Sequence, residues 1–327
     1  MLLMGNESSG WAALPEFNRS EAEDGRSGAG PEAVVVPVVF GLIFVVGVVG
    51  NSLVMVVIGR VSPTNIFILN LSVADLLFLL FCVPFHATIY SLPEWVFGGF
   101  LCKFGHFFSS ASMLVSIFTL VAMSADRYIA VVRSGKSPCV RSRRNALAGV
   151  CIIWMLSLLC SVPVAQHQVL TSHPSAPNST FCWEQWSGAS RPLYRVTFLL
   201  IGFLLPLLLI SCCYTRVTQG PKGTAQTVLL VVTAFTICWM PHHIIAMWVE
   251  FGTFPLNNAS FAFRIVSHVF SYGNSCINPV LYAFLSENFR KACRQVFTCH
   301  FLYPPPPGKV VRFRMENFSS THSTTNI

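Results

Sequence analysis

The sequence predicts an all-α membrane protein, a seven-transmembrane helix bundle with a short amphipathic helix after the seventh span. Three observations carry that reading. Of 327 residues, 53% are hydrophobic and only 10% are charged, whereas a soluble domain carries about a quarter charged residues. The apolar residues fall into seven blocks, each long enough to cross the hydrocarbon as a helix, which takes about 20 residues at a rise of about 1.5 Å. Lys and Arg gather in alternate connections between the blocks, the pattern left by retention of cations on the cytoplasmic side.

The blocks run Val34 to Gly59, Thr64 to Ser91, Phe100 to Val132, Asn145 to Gln166, Leu193 to Val217, Thr224 to Glu250, and Phe261 to Leu285. An odd number of spans puts the two ends on opposite sides. With the N terminus outside, 15 of the 21 Lys and Arg residues fall on the inner side, among them Arg60, Arg127, Arg141, Arg216 and Arg290. Glu7, Glu16, Glu94, Glu184 and Glu250 gather outside. The chain is therefore expected at the plasma membrane as a multi-pass protein with an extracellular N terminus. Its net charge of +8 lies between apolar blocks and forms no single basic face, so no nucleic-acid partner is expected.

Four regions follow: an extracellular tail at 1–33, the seven-span domain at 34–285, a membrane-surface helix at 286–300, and a disordered cytoplasmic tail at 301–327. No basic start with an apolar stretch and cleavage site precedes the first span, which is expected to serve as the targeting signal. Asn6 and Asn18 in the leader, and Asn178 in the second outer loop, stand in N-glycosylation triplets. Residues Glu287 to His300 place Phe289, Ala292, Cys293, Val296 and Phe297 on one helical face and cations on another, which suits the inner lipid leaflet. Cys299 is the candidate palmitoyl anchor, with Cys293 second. The Ser/Thr cluster Ser319 to Thr325 offers phosphate acceptors or stays unmodified.

Most of the twelve cysteines lie in apolar blocks or on the inner side, where disulfides do not persist. Cys102, opening the third span, and Cys182, in the loop before the fifth, are the exceptions. A bridge between them would pin that loop over the mouth of the bundle. Asp75 is the only acidic residue in the middle of a span, where a charge is costly without polar partners or water. Asn51, Ser116, Asn274, Ser275 and Asn278 are candidate partners. They suit either a small cation such as sodium or a polar knot that titrates or merely holds the helices.

Asp126-Arg127-Tyr128 closes the third span on the inner side. It has company in Asn51, Leu71 to Asp75, Trp154, Pro206 with Tyr214, Cys238-Trp239-Met240-Pro241, and Asn278-Pro279-Val280-Leu281-Tyr282. Proline inside a span removes a backbone hydrogen bond and kinks the helix, a hinge or a fixed bend.

Over nearly its whole length the chain resembles the rhodopsin-like (class A) family of G-protein-coupled receptors. Phe181-Cys182-Trp183-Glu184-Gln185-Trp186, Pro241-His242-His243-Ile244-Ile245 and Phe284 to Lys291 are similar to the galanin receptors, nearest type 1. The resemblance implies a receptor, not an enzyme, taking a galanin-like neuropeptide outside and a heterotrimeric G protein, of the inhibitory class, inside. It implies no cofactor beyond an allosteric sodium ion. By the same resemblance His242, His243, Glu250, Phe261 and Arg264 are the peptide-binding residues. Asp126, Arg127, Tyr128, Tyr214, Trp239, Pro241 and Tyr282 are implied as the switch and coupling residues.

Other features of the chain agree with a peptide ligand. The seventh span has no Lys for a retinal Schiff base, and Ser109 and Ser110 stand where amine receptors carry an Asp. Trp183, Trp186, Phe254 and Phe261 supply aromatic surface at the mouth, although aromatics near span ends also serve as interfacial belts. Ala246 and Ser109 depart from the type 1 pattern. Two other readings remain open. A transporter would favour inverted repeats and several intramembrane charges, and only Asp75 is present. A receptor with impaired coupling is suggested by short inner loops: 24 positions (75 minus 51) separate Asn51 from Asp75, and 35 (241 minus 206) separate Pro206 from Pro241.

Overall fold

The computed structural model describes residues 31–58, 62–92, 94–133, 135, 137–173, 176–187, 189–217, 225–255, 257–285, 289–290 and 293–294. Asn6, Asn18, Cys299, the tail at 301–327 and most of the expected surface helix at 286–300 lie outside the described residues, as does the side chain of Asn178. Residues 289–290 and 293–294 are helical.

Seven long helices form the bundle: α1 (Pro31–Val57), α2 (Pro63–Ser91), α3 (Gly98–Val132), α4 (Arg143–Gln166), α5 (Ser190–Val217), α6 (Ala225–Phe251) and α7 (Asn258–Leu285). The first six are long and apolar enough to cross a membrane. The seventh has the length, at 28 residues, but is more polar because it turns Ser267, Ser271, Asn274, Ser275 and Asn278 into the interior. Outward faces show the reverse of a soluble protein. Val38, Leu42, Val49, Ile152, Met155, Leu159, Leu204 and Leu208 are exposed, as expected of side chains that meet lipid while every helical backbone group is satisfied internally.

Local chemistry sets the helix starts on the inner side. Ser62 caps α2 by accepting from Asn65 N at 3.2 Å, and Pro63 follows at the first helical position, where its missing N–H is no loss. Ser142 caps α4 in the same way, accepting from Asn145 N at 3.2 Å. A helical turn at Ser137–Val140 connects α3 to α4.

α3 is the axis of the bundle, packing against α2, α4, α5 and α6. Its inward residues Met113, Leu114, Ile117, Leu120 and Met123 join Phe78, Leu79, Phe203, Ile210, Phe235 and Trp239 in one core. Asn70 ties three helices by donating to Thr119 of α3 at 2.8 Å and accepting from Trp154 of α4 at 2.8 Å. Around Gly202, α5 loosens into a π-helical turn at Leu200–Leu204. A Cβ at Gly202 would lie 3.0 Å from both Leu114 and Met113, so glycine sets how closely α5 approaches α3.

In the second outer loop, β1 (Gln168–His173) and β2 (Ala176–Glu184) form an antiparallel hairpin, with Leu170 opposite Cys182 and Val169 opposite Trp183. Backbone bonds fasten it at its open end and at the middle of β2. Gln185 N donates to His167 O at 2.8 Å, and Trp95 N, before α3, donates to Thr180 O at 2.7 Å.

Candidate functional site

The hairpin and the outer ends of α2, α3, α4, α5, α6 and α7 line a cavity of about 140 Å³. Cys102 and Cys182 are joined, with Cα atoms 5.6 Å apart, so β2 is bonded to the start of α3. Both half-cystines are buried against Phe85 and Trp95. This fixes the hairpin as one wall of the cavity.

Of the residues expected to bind ligand, three line this cavity: His242 of α6, and Phe261 and Arg264 of α7. The Arg264 guanidinium lies 4.9 Å over the Phe254 ring, a cation–π contact that orients it. The other three stand apart. His243 is 5% exposed and turns towards α5, its ring centroid 4.6 Å from that of Phe203. Glu250 forms an ion pair with Arg191 at 3.1 Å, linking the outer ends of α6 and α5. Trp183 is half-buried and alternates with the inward residues Cys182 and Glu184, which places it on the hairpin's other face.

Several lining residues have no counterpart in the sequence-based expectation: His86, His106, His268, Tyr194, Arg195 and Gln168. His86 and His268 lie with ring centroids 4.6 Å apart, and the Nδ1 of His86 is 3.0 Å from Cys82 O. The available signal was imidazole in an apolar span, since polar side chains there face the bundle interior. Ser109 and Ser110 line the wall as well. Trp239 lies at the floor, its ring 6.0 Å from Phe78, 6.0 Å from Phe235 and 5.7 Å from His242.

Deeper in the bundle, Asp75 is 1% exposed. One carboxylate oxygen accepts from Ser275 at 2.9 Å and the other from Asn278 Nδ2 at 2.7 Å. Asn51 joins the cluster by donating to Ser275 O at 2.8 Å and Gly47 O at 2.9 Å. Ser116 and Asn274 are buried. The amide oxygens of Asn51, Asn274 and Asn278 are buried with no donor among the described residues. A carboxylate with surplus oxygen acceptors is the donor chemistry of a hard cation, so these residues fit a sodium ion.

At the inner end, Asp126 and Arg127 are buried. Asp126 accepts from Thr64 at 2.7 Å and from Arg141 Nε at 2.7 Å, while Arg127 donates to Thr64 at 2.6 Å. Tyr128 is half-buried, and Tyr214 and Tyr282 are buried near the same end. Pro241 lies inside α6 and Pro279 inside α7.

An outward cavity above a buried polar cluster, with a charge network at the far end, defines a seven-span receptor. Residues 50–282 match the 7 transmembrane receptor (rhodopsin family). Galanin receptor type 1 from Homo sapiens is 54% identical over 321 residues, 91% of each chain. The type 1 receptor from Mus musculus is 50% identical over 347 aligned positions, 99% of each chain. Galanin receptor type 2 from Rattus norvegicus is 44% identical over 308 residues, covering 88% of this chain and 82% of that one. The chain belongs to the rhodopsin family of seven-transmembrane receptors and, within it, to the galanin receptors, a family of receptors and not of enzymes.

Proposed function

We propose that the chain is a plasma-membrane receptor for galanin or a galanin-like neuropeptide, with its N terminus outside. Peptide bound at the outer cavity shifts the packing of α6 and α7, and the change reaches a heterotrimeric G protein of the inhibitory class at the inner end. One observation carries the reading: in a chain 54% identical to a galanin receptor, His242, Phe261 and Arg264 converge on a cavity closed on one side by the disulfide-bonded hairpin. Aromatic and guanidinium groups in a desolvated pocket are the usual anchors of a peptide side chain. In this reading His243 supports His242 from the α5 side, and Glu250 braces the rim through Arg191. Asp75 with Asn51, Ser116, Asn274, Ser275 and Asn278 holds an allosteric sodium ion. Asp126, Arg127, Tyr128, Tyr214, Trp239, Pro241 and Tyr282 transmit the change, while Cys299, once acylated, holds the surface helix to lipid. Asn6, Asn18 and Asn178 carry glycans.

A second reading, peptide binding with weak coupling, is favoured by one observation. The 35 positions (241 minus 206) from Pro206 to Pro241 must cross the inner half of the membrane twice, which takes about 20 of them. Labelled galanin binding and galanin-driven nucleotide exchange, measured on cells with verified surface expression, separate the readings. Binding with exchange supports the first and binding without exchange selects the second. Absence of binding rejects galanin as the ligand.

A further inference from the structure

The outer hairpin is held by more than its disulfide. Residues two apart on a strand share a face, and Cys182 and Glu184 are both buried while Phe181 and Trp183 are half-buried. Cys182 goes to α3. Glu184 goes to α5, where one carboxylate oxygen accepts from Arg195 and the other from the indole N–H of Trp186. Trp186 is itself clamped. Its ring stacks on His167 with centroids 3.6 Å apart and planes inclined by 5°, and on Tyr194 at 5.2 Å. Tyr194 donates to Cys160 O of α4 at 3.2 Å. The side chains of Arg195 and Glu184 are 16% and 7% exposed, and Glu184 is the one carboxylate among the residues lining the cavity.

We propose that Glu184, Arg195 and Trp186 form a second anchor of the hairpin, separate from the disulfide, that positions this wall of the peptide cavity and holds the Arg195 guanidinium against the hairpin at the cavity wall. The peptide-binding part rests on the receptor reading above, whereas the anchor itself does not. An exposed ion pair contributes little, but removing one partner of a largely buried pair leaves the other charge desolvated. The two removals are therefore unequal. Glu184→Gln takes from Arg195 its hairpin carboxylate beside the ligand, while Arg195→Gln leaves Glu184 bonded to Trp186.

The test is a double-mutant cycle on the full chain in nanodiscs, read by thermal unfolding and by the dissociation rate of labelled galanin. The expected result is strong non-additivity: the Glu184→Gln/Arg195→Gln double mutant unfolds no lower than Glu184→Gln alone. Galanin should leave Glu184→Gln about tenfold faster than the parent, as loss of one partner of a buried charge pair acts on dissociation. The exchanged pair, Glu184→Arg with Arg195→Glu, should recover part of both readouts. Should Glu184→Gln fail to reach the membrane, Arg195→Gln, Trp186→Phe and their double mutant run the same cycle. Additive unfolding effects overturn the anchor. Coupled unfolding with an unchanged galanin dissociation rate overturns its positioning role. If the parent does not bind galanin, the ligand assignment fails, and the unfolding cycle still decides the anchor.

Discussion

Arg141 grips Asp126 through two nitrogens, Nε at 2.7 Å from Oδ1 and Nη2 at 3.2 Å from Oδ2, across the inner end of the bundle. Arg127, the sequence neighbour of Asp126, is 3.9 Å from that carboxylate and gives its shorter bond to Thr64. The carboxylate is thus satisfied chiefly from the second inner loop. Release of Arg141 should loosen the resting arrangement. Arg141→Ala is expected to raise ligand-free nucleotide exchange about threefold, a bias of roughly 0.6 kcal/mol, in the range of a partly exposed ion pair. Peptide affinity should stay within about twofold, because the outer cavity is remote. Unchanged basal exchange at matched expression would show that the grip does not restrain the switch.

The bridge between Cys102 and Cys182 closes a loop with a sequence separation of 80, for which loop-closure entropy predicts about 4.5 kcal/mol. Cys102→Ser and Cys182→Ser should lose surface expression or peptide binding equally, and the double mutant should be no worse. Normal binding by either single mutant contradicts the bridge.

Much of the fold was legible from the chain. The expected ends at Ser91, Val132 and Gln166 coincide with the observed ones, because a long apolar block in lipid has few alternatives to a helix. Observed starts fall three residues earlier at α5 and α7, where Ser190-Arg191-Pro192 and Asn258-Ala259-Ser260 open the helices ahead of the apolar blocks. The site was read less well. His242 and His243 are neighbours, and only the rotation of α6 decides that one enters the cavity while the other meets Phe203. Glu250 and Glu184 both read as outer carboxylates, but their partners Arg191 and Arg195 come from another helix. The hairpin has weak sequence support, because Cys182 and Glu184, which share its buried face, do not read as one apolar face alternating with Phe181 and Trp183.

That rotation of α6 ranks the pocket mutations. Phe261→Ala should weaken galanin binding by about 30-fold or more, the scale of a buried aromatic anchor. His242→Ala should follow, and His243→Ala should cost less because it acts through Phe203. His243→Phe keeps that ring contact and should bind nearly as the parent does. A larger loss at His243 than at Phe261 in saturation binding would reverse the assignment.

Asp75 sets a response to salt. Sodium should lower agonist affinity by about fivefold, the low end of measured coupling between sites, whereas potassium or N-methylglucamine at equal strength should not. Asp75→Asn removes the charge and should abolish the difference. A sodium response that survives in Asp75→Asn would assign the ion elsewhere.

The inner link gives a gain-of-function test. Of the 35 positions (241 minus 206) from Pro206 to Pro241, about 20 cross the inner half of the membrane, and helices that reach two more turns into the cytoplasm would need about 14 more. A flexible basic segment inserted between Gly220 and Lys222 should increase galanin-driven exchange without changing galanin affinity. Equal exchange by the parent and the lengthened chain, at matched surface density, would remove the steric explanation.

The polarity of α7 bears on how the receptor is made. Ser275 and Asn278 are tied to α1 and α2 through Asn51 and Asp75, and Asn274 is buried; among the described long helices, α7 is the one that apolarity alone does not mark as a span. Each of these groups is costly in bare lipid. As the last helix to emerge during synthesis, α7 finds its partners already in place. Its insertion is then an act of recognition by the six helices before it, and a chain with a damaged Asp75 cluster should be handed to quality control at that final step.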